Sequence, residues 1–207
     1  MGKETTLQAF PEDTPLLCRV RSGETSGDHI QTVLCYLDWL RRKRHQTGAV
    51  EYFRNEDESE RIALFEETLE LLESNPELLW RTAYLDRRFE VLLYLMCEST
   101  SCPEQKELYR FAICGREPIH ATATATQGHP IMWNDAGTTR RIYDALETLE
   151  FSKVARHFGT EEFSNQSLYK KSDDRREPTA LHSYFCELKE FYRAAAAVGN
   201  ATIVVVD

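Results

Sequence analysis

Two hundred and seven residues, 42% hydrophobic and 29% charged, suffice for one globular domain that buries roughly 70% of its unfolded surface without disulfides or a structural metal. The net charge of −9 is uneven: from Glu51 to Glu77, ten acidic side chains face only Arg54 and Arg61, a local balance of −8, and the other 180 residues are nearly neutral. This excludes a generic nucleic-acid binder, which needs a basic face to displace counterions from phosphates, and argues against binding to an anionic membrane.

In chain order, Thr14–Val20 predicts a short strand, and the glycine- and hydroxyl-rich run 21–27 a loop. From Asp28, the recurrence of Ile30, Val33, Leu34, Leu37 and Leu40 at three and four residues predicts a helix. The basic run Arg41–His45 closes it, opposing the negative end of the helix dipole and compensating nearby acidic charge, and Gly48 stops it. A second helix lies in the acidic stretch, with Ile62, Phe65, Leu69 and Leu72 inward and Glu66, Glu70 and Glu73 outward. A third runs from about Asp86 with Leu85, Phe89, Leu92, Leu93 and Met96 on one face. The run Ile119–Thr126 alternates small apolar and polar residues, which predicts a strand, closed by a turn at Gln127–Pro130. Further helices follow around Ile142–Leu149 and Val154–Phe163. A long one then carries Leu181, Phe185, Leu188, Tyr192 and Ala195 on one face before Gly199. Last comes Ile203-Val204-Val205-Val206, apolar without alternation, the pattern of a strand covered on both faces. The expected fold is therefore a single α/β domain over 1–207: a mixed sheet packed by helices on both faces, its C-terminal strand buried.

Six cysteines without a C-x-x-C pair, several in apolar runs such as Tyr184-Phe185-Cys186, are expected as reduced small hydrophobes. With no secretory leader and no apolar stretch of about 18 residues, a cytoplasmic protein is expected. No P-loop, dinucleotide fingerprint or nucleophile elbow occurs, so no cofactor is expected. Cys102 and Cys114 have some polar context but are expected as incidental thiols. His120, His129 and Asp135 are weak candidates for a two-histidine, one-carboxylate metal site, since their spacing fits no compact ligand motif. Arg87 and Arg88 are weak candidates for holding an anion, with Asp86 more simply a helix cap.

From Leu85-Asp86-Arg87-Arg88-Phe89 through Met96, the sequence resembles the YfbM-like family, bacterial proteins grouped as a domain of unknown function. The resemblance continues through Ala112-Ile113-Cys114-Gly115, Trp133-Asn134, Ile142–Leu149, Leu168-Tyr169, Leu188–Tyr192 and the closing Gly199–Val206, and so covers about residues 78–207. Phe89 stands where many members have tryptophan, and Leu93 where many have histidine. Residues 1–77, with the acidic helix, match less well. The resemblance implies a single α/β domain with helices against a mixed sheet, and it assigns no catalytic residues.

Two functions are expected from different classes. The first is a non-enzymatic interaction module that presents Glu66, Glu70 and Glu73 to a basic protein partner. The second is an enzyme acting on a small anionic ligand in a pocket at the sheet edge near Arg87, Arg88, His120, His129 and Asp135.

Overall fold

The computed structural model describes residues 4–25, 28–42, 59–85, 88–125, 128–168 and 177–206. Strand β1 (Thr5–Pro11) leads into helix α1 (Pro15–Ser22), α2 (Asp28–Arg42) and the acidic helix α3 (Ser59–Ser74). A 3-10 turn (Pro76–Trp80) precedes β2 (Thr82–Leu85), which is followed by α4 (Phe89–Glu98), α5 (Pro103–Cys114), β3 (Glu117–Pro118) and β4 (Met132–Asn134). Helices α6 (Ala136–Glu147), α7 (Phe151–Ala155), α8 (Glu161–Ser164) and α9 (Glu177–Ala197) then lead to β5 (Asn200–Val206).

The five strands lie in the order β2-β1-β5-β4-β3. β5 sits at the centre, paired with β1 along its whole length and with β4 over Thr202–Val204. Its side chains divide between two cores. Ala201, Ile203 and Val205 pack with α1, α2 and α3, whereas Val204 packs with α4, α5, α6 and α9. The α/β domain with helices on both faces and a buried C-terminal strand is thus present. Among the described residues every strand pairing is antiparallel, however, where a mixed sheet was expected. An unalternating apolar strand reports cover on both faces, and cover does not decide the direction of its neighbours.

Two further sequence expectations are corrected. Thr14–Val20 is not a strand but the start of α1: Pro15 occupies the first helical turn, and Gly23 at φ 76° closes it with its N–H on Arg19 and Val20 carbonyls. The true first strand, β1, lies just upstream and buries Gln8 at its middle, which disguises its alternation. Ile119–Thr126 likewise makes no ladder over its described part. After the two-residue β3 the chain folds back, with Ile131 N–H on the Ala123 carbonyl (2.8 Å), Ala125 N–H on that of His129 (2.7 Å) and an isolated bridge from Thr124 to Pro130. Alanines offer little cross-strand packing, and Pro130 has no N–H to extend a ladder. The expected turn at Gln127 and the helix stop at Gly48 fall outside the described residues.

Arg41, expected to compensate charge at the end of α2, also holds elements together. Its side chain is 9% exposed, and it donates to Gln8 Oε1 (2.9 Å), the Leu79 carbonyl (3.1 Å) and Tyr84 Oη (2.9 Å), tying α2 to β1 and β2. The free edge of β2 is covered as well, because Tyr84 N–H donates to Glu187 of α9 (2.9 Å).

Candidate functional site

The acidic helix α3 packs through Leu64, Phe65 and Thr68, all buried, and Phe65 lies against Tyr36 of α2 with ring centroids 4.3 Å apart. The inward stripe is rotated slightly from the expected Ile62–Phe65–Leu69–Leu72 line, since Leu64 and Thr68 are more deeply buried than Ile62 and Leu69. Glu66, Glu70 and Glu73 fall on the exposed face, as their spacing required. Glu67 instead turns toward α1, where its Oε2 accepts from Arg19.

Between α3 and the start of α1 lies a pocket of about 220 Å³, lined by Thr14, Leu16, Val33, Glu67, Glu70 and Leu71 among others. Two of its polar atoms are buried without a hydrogen-bond partner: Thr14 Oγ1 and Glu67 Oε1. Thr14 is 5% exposed. It stands at the N-cap of α1, yet its side chain caps nothing. A hydroxyl and a carboxylate oxygen left unpaired beside Glu70 form an acceptor-rich site, matched chemically to an N–H donor carrying positive charge.

The other sequence candidates are dispersed. Asp135 caps α6, with Oδ1 accepting from Thr138 N–H, and its Oδ2 is paired with Arg116 at 3.3 Å. His120 Nδ1 is engaged with Thr122 Oγ1 at 2.9 Å, and its ring lies close against Gly23. His129 is bound through its carbonyl to Ala125. Among the described residues no three His, Cys, Asp or Glu side chains are grouped to hold a metal, so His120, His129 and Asp135 form no such set. Arg88 is half-buried at the N-cap of α4, and Arg87 lies outside the described residues. The N-terminus of α6, a natural anion seat, is filled by the protein's own Glu12, whose Oε2 accepts from Ala136 N–H at 2.9 Å. Glu12 also pairs with Arg21, which stacks on Trp133 at 4.0 Å.

The cysteines depart from expectation. Cys18, Cys35, Cys102 and Cys186 are exposed, and only Cys97 is buried. Burial pushes the Cys114 thiol up, reinforced by Cys97 and Glu90, which makes it a poorer nucleophile. Cys186 has the more informative surroundings. Its Sγ is 3.5 Å from His182 Nε2 in a cleft of about 610 Å³ along α9, on the other side of the sheet from the acidic helix. The signal for this pair in the sequence is its spacing alone: His-x-x-x-Cys in a helix places both side chains on one face.

Among the described residues no helix is long and apolar enough to cross a membrane. A family model described as a domain of unknown function (DUF1877) matches residues 43–205, in agreement with the YfbM-like resemblance. The match begins upstream of the resemblance read from the sequence and takes in the whole of α3. No curated protein and no solved structure matches the chain.

Proposed function

We propose that this chain, which belongs to the DUF1877 family, works as a non-enzymatic cytoplasmic interaction module whose α3 face receives a basic protein partner. The observation that carries the reading is Thr14: a hydroxyl buried without a partner costs about 1–3 kcal/mol, and here it lines a pocket already rich in carboxylate oxygens. A lysine or arginine side chain inserted between α1 and α3 would satisfy Thr14 Oγ1 and Glu67 Oε1 together. Glu66, Glu70 and Glu73 would steer the approach from outside.

The test uses a short fluorescent Lys/Arg peptide titrated by anisotropy at low and moderate salt. Thr14→Val keeps the shape and removes the unpaired hydroxyl, so it should stabilise the fold by about 1 kcal/mol yet weaken peptide binding about fivefold. Glu70→Gln should weaken binding by a similar factor, and replacing Glu66, Glu70 and Glu73 together should make the remaining affinity nearly independent of salt. If Thr14→Val binds as the wild type does, the pocket is not where a partner docks and the proposal fails.

A further inference from the structure

We propose that the cleft along α9 is a thiol site at which Cys186 takes up a small, charged disulfide as a covalent adduct. His182, Cys186, Lys189 and Arg193 recur at steps of four, three and four, so they form one stripe on α9 while Leu181, Phe185, Leu188 and Tyr192 face the core. His182 is held in place: its ring packs on Phe151 with centroids 4.8 Å apart, and Phe151 in turn packs on Phe185 at 5.5 Å. With Nε2 3.5 Å from Sγ, the imidazole is positioned to take the thiol proton as sulfur attacks.

The cleft's size lies within the range of small-molecule sites. Leu149, Phe151 and Phe185 give it an apolar lining, and charge of both signs surrounds this. Lys189 Nζ donates to the carbonyls of Glu147 and Leu149, each at 3.2 Å, which ties α9 to the end of α6 along the cleft. Arg193 is forked onto Glu190, and Glu147 accepts from Tyr143 Oη at 2.7 Å. Such a border suits a ligand carrying both amine and carboxylate groups.

The exchange balances as follows. The Cys186 S–H proton passes to His182 Nε2, and Sγ attacks one sulfur of the small disulfide. The S–S bond breaks as the new one forms, and the departing thiolate recovers the proton from the imidazolium. Cys186 is thereby oxidised and one half of the disulfide reduced to a thiol. No other cysteine lines the cleft, so there is no internal thiol to resolve the adduct.

The full-length protein would be incubated with oxidised glutathione and adducts timed at each cysteine by peptide mass spectrometry. Cys18, Cys35 and Cys102 serve as exposed internal references. Cys186 should react at least about tenfold faster than these, and His182→Gln should bring it down to their rate. An uncharged disulfide of similar size should lose most of that advantage. Equal rates at all four thiols, or a Cys186 rate unchanged by His182→Gln, would overturn the catalytic pairing. An undiminished rate with the uncharged probe would overturn the ligand class.

Discussion

Replacing Tyr192 by phenylalanine should cost about 2 kcal/mol at neutral pH, and the cost should shrink as the solution becomes alkaline. Tyr192 is fully buried, and its hydroxyl donates to the Ala112 carbonyl at 2.9 Å, one of the last-turn carbonyls of α5 that no helical N–H reaches. Asn134 Nδ2 donates to the same hydroxyl at 3.3 Å, but it retains the Phe111 carbonyl at 3.1 Å. The substitution therefore orphans one buried acceptor, worth about 1–3 kcal/mol, equivalent to a melting temperature lower by roughly 4–8 °C in a chain of this size. Burial drives the Tyr192 hydroxyl far above its ordinary value, against a lowering by the Asn134 hydrogen bond. A phenol held neutral in the folded state contributes its full stability below about pH 10. Above that the unfolded chain releases the proton and the folded chain does not, so stability falls by about 1.4 kcal/mol per pH unit. Tyr36 and Tyr109, likewise raised by burial, act in both proteins and cancel in the comparison. Urea unfolding of wild type and variant at pH 7, 9, 10.5 and 11 should show the gap narrowing only in the last two. A gap constant to pH 11, or a pH 7 cost no larger than that of Tyr143→Phe, would refute the reasoning.

Gly115→Ala should cost more than about 3 kcal/mol by thermal or urea unfolding, because Gly115 adopts φ 73° and an added Cβ would lie 2.4 Å from Met132 Cβ. Gly159→Ala, at φ 75° with open space around it, should cost only about 1 kcal/mol and isolates the backbone contribution. Arg41→Met should cost roughly 2–4 kcal/mol by urea unfolding, since it removes hydrogen bonds to Gln8, Leu79 and Tyr84. Glu70→Gln relieves like charges at Glu66, Glu67 and Glu73, three and four positions away, and should stabilise the fold by up to about 1 kcal/mol at low salt. Repeating that unfolding series in 0.5 M salt should erase most of the gain.

What could be read from the residues was either an unbroken apolar run or a repeat with a fixed period. Ile203–Val206 announced a strand covered on both sides, and Glu66, Glu70 and Glu73 announced an exposed helical stripe. Strand direction was not readable, because it depends on how the connections cross. β1 escaped because Gln8, which donates to the Leu78 carbonyl and accepts from Arg41, puts an amide where the pattern wants an apolar side chain. Thr14–Val20 misled because seven residues cannot separate a buried helical turn from a strand, and Pro15 was the clue that decided it. The pocket at Thr14 and Glu67 joins helices some fifty positions apart, and only the packing of α3 on α1 and α2 brings them together. His182 and Cys186 lie within reach of the helical period, since a spacing of four sets both on one face of α9.

The central place of β5 also governs the order in which the molecule can be made. Its partner β1 leaves the ribosome long before it, and Thr5 meets Val206, 201 positions later. During vectorial synthesis β1 therefore has, among the described strands, β2 alone to pair with before β5 emerges, a four-residue ladder too short to persist on its own. The helices can form as they emerge, but the sheet that joins their two layers closes last, so slow, high-contact-order folding is built in. A nascent chain stalled before Asn200 would display the apolar flanks of β1 and β4 to its surroundings, which makes those flanks the natural targets of holding chaperones.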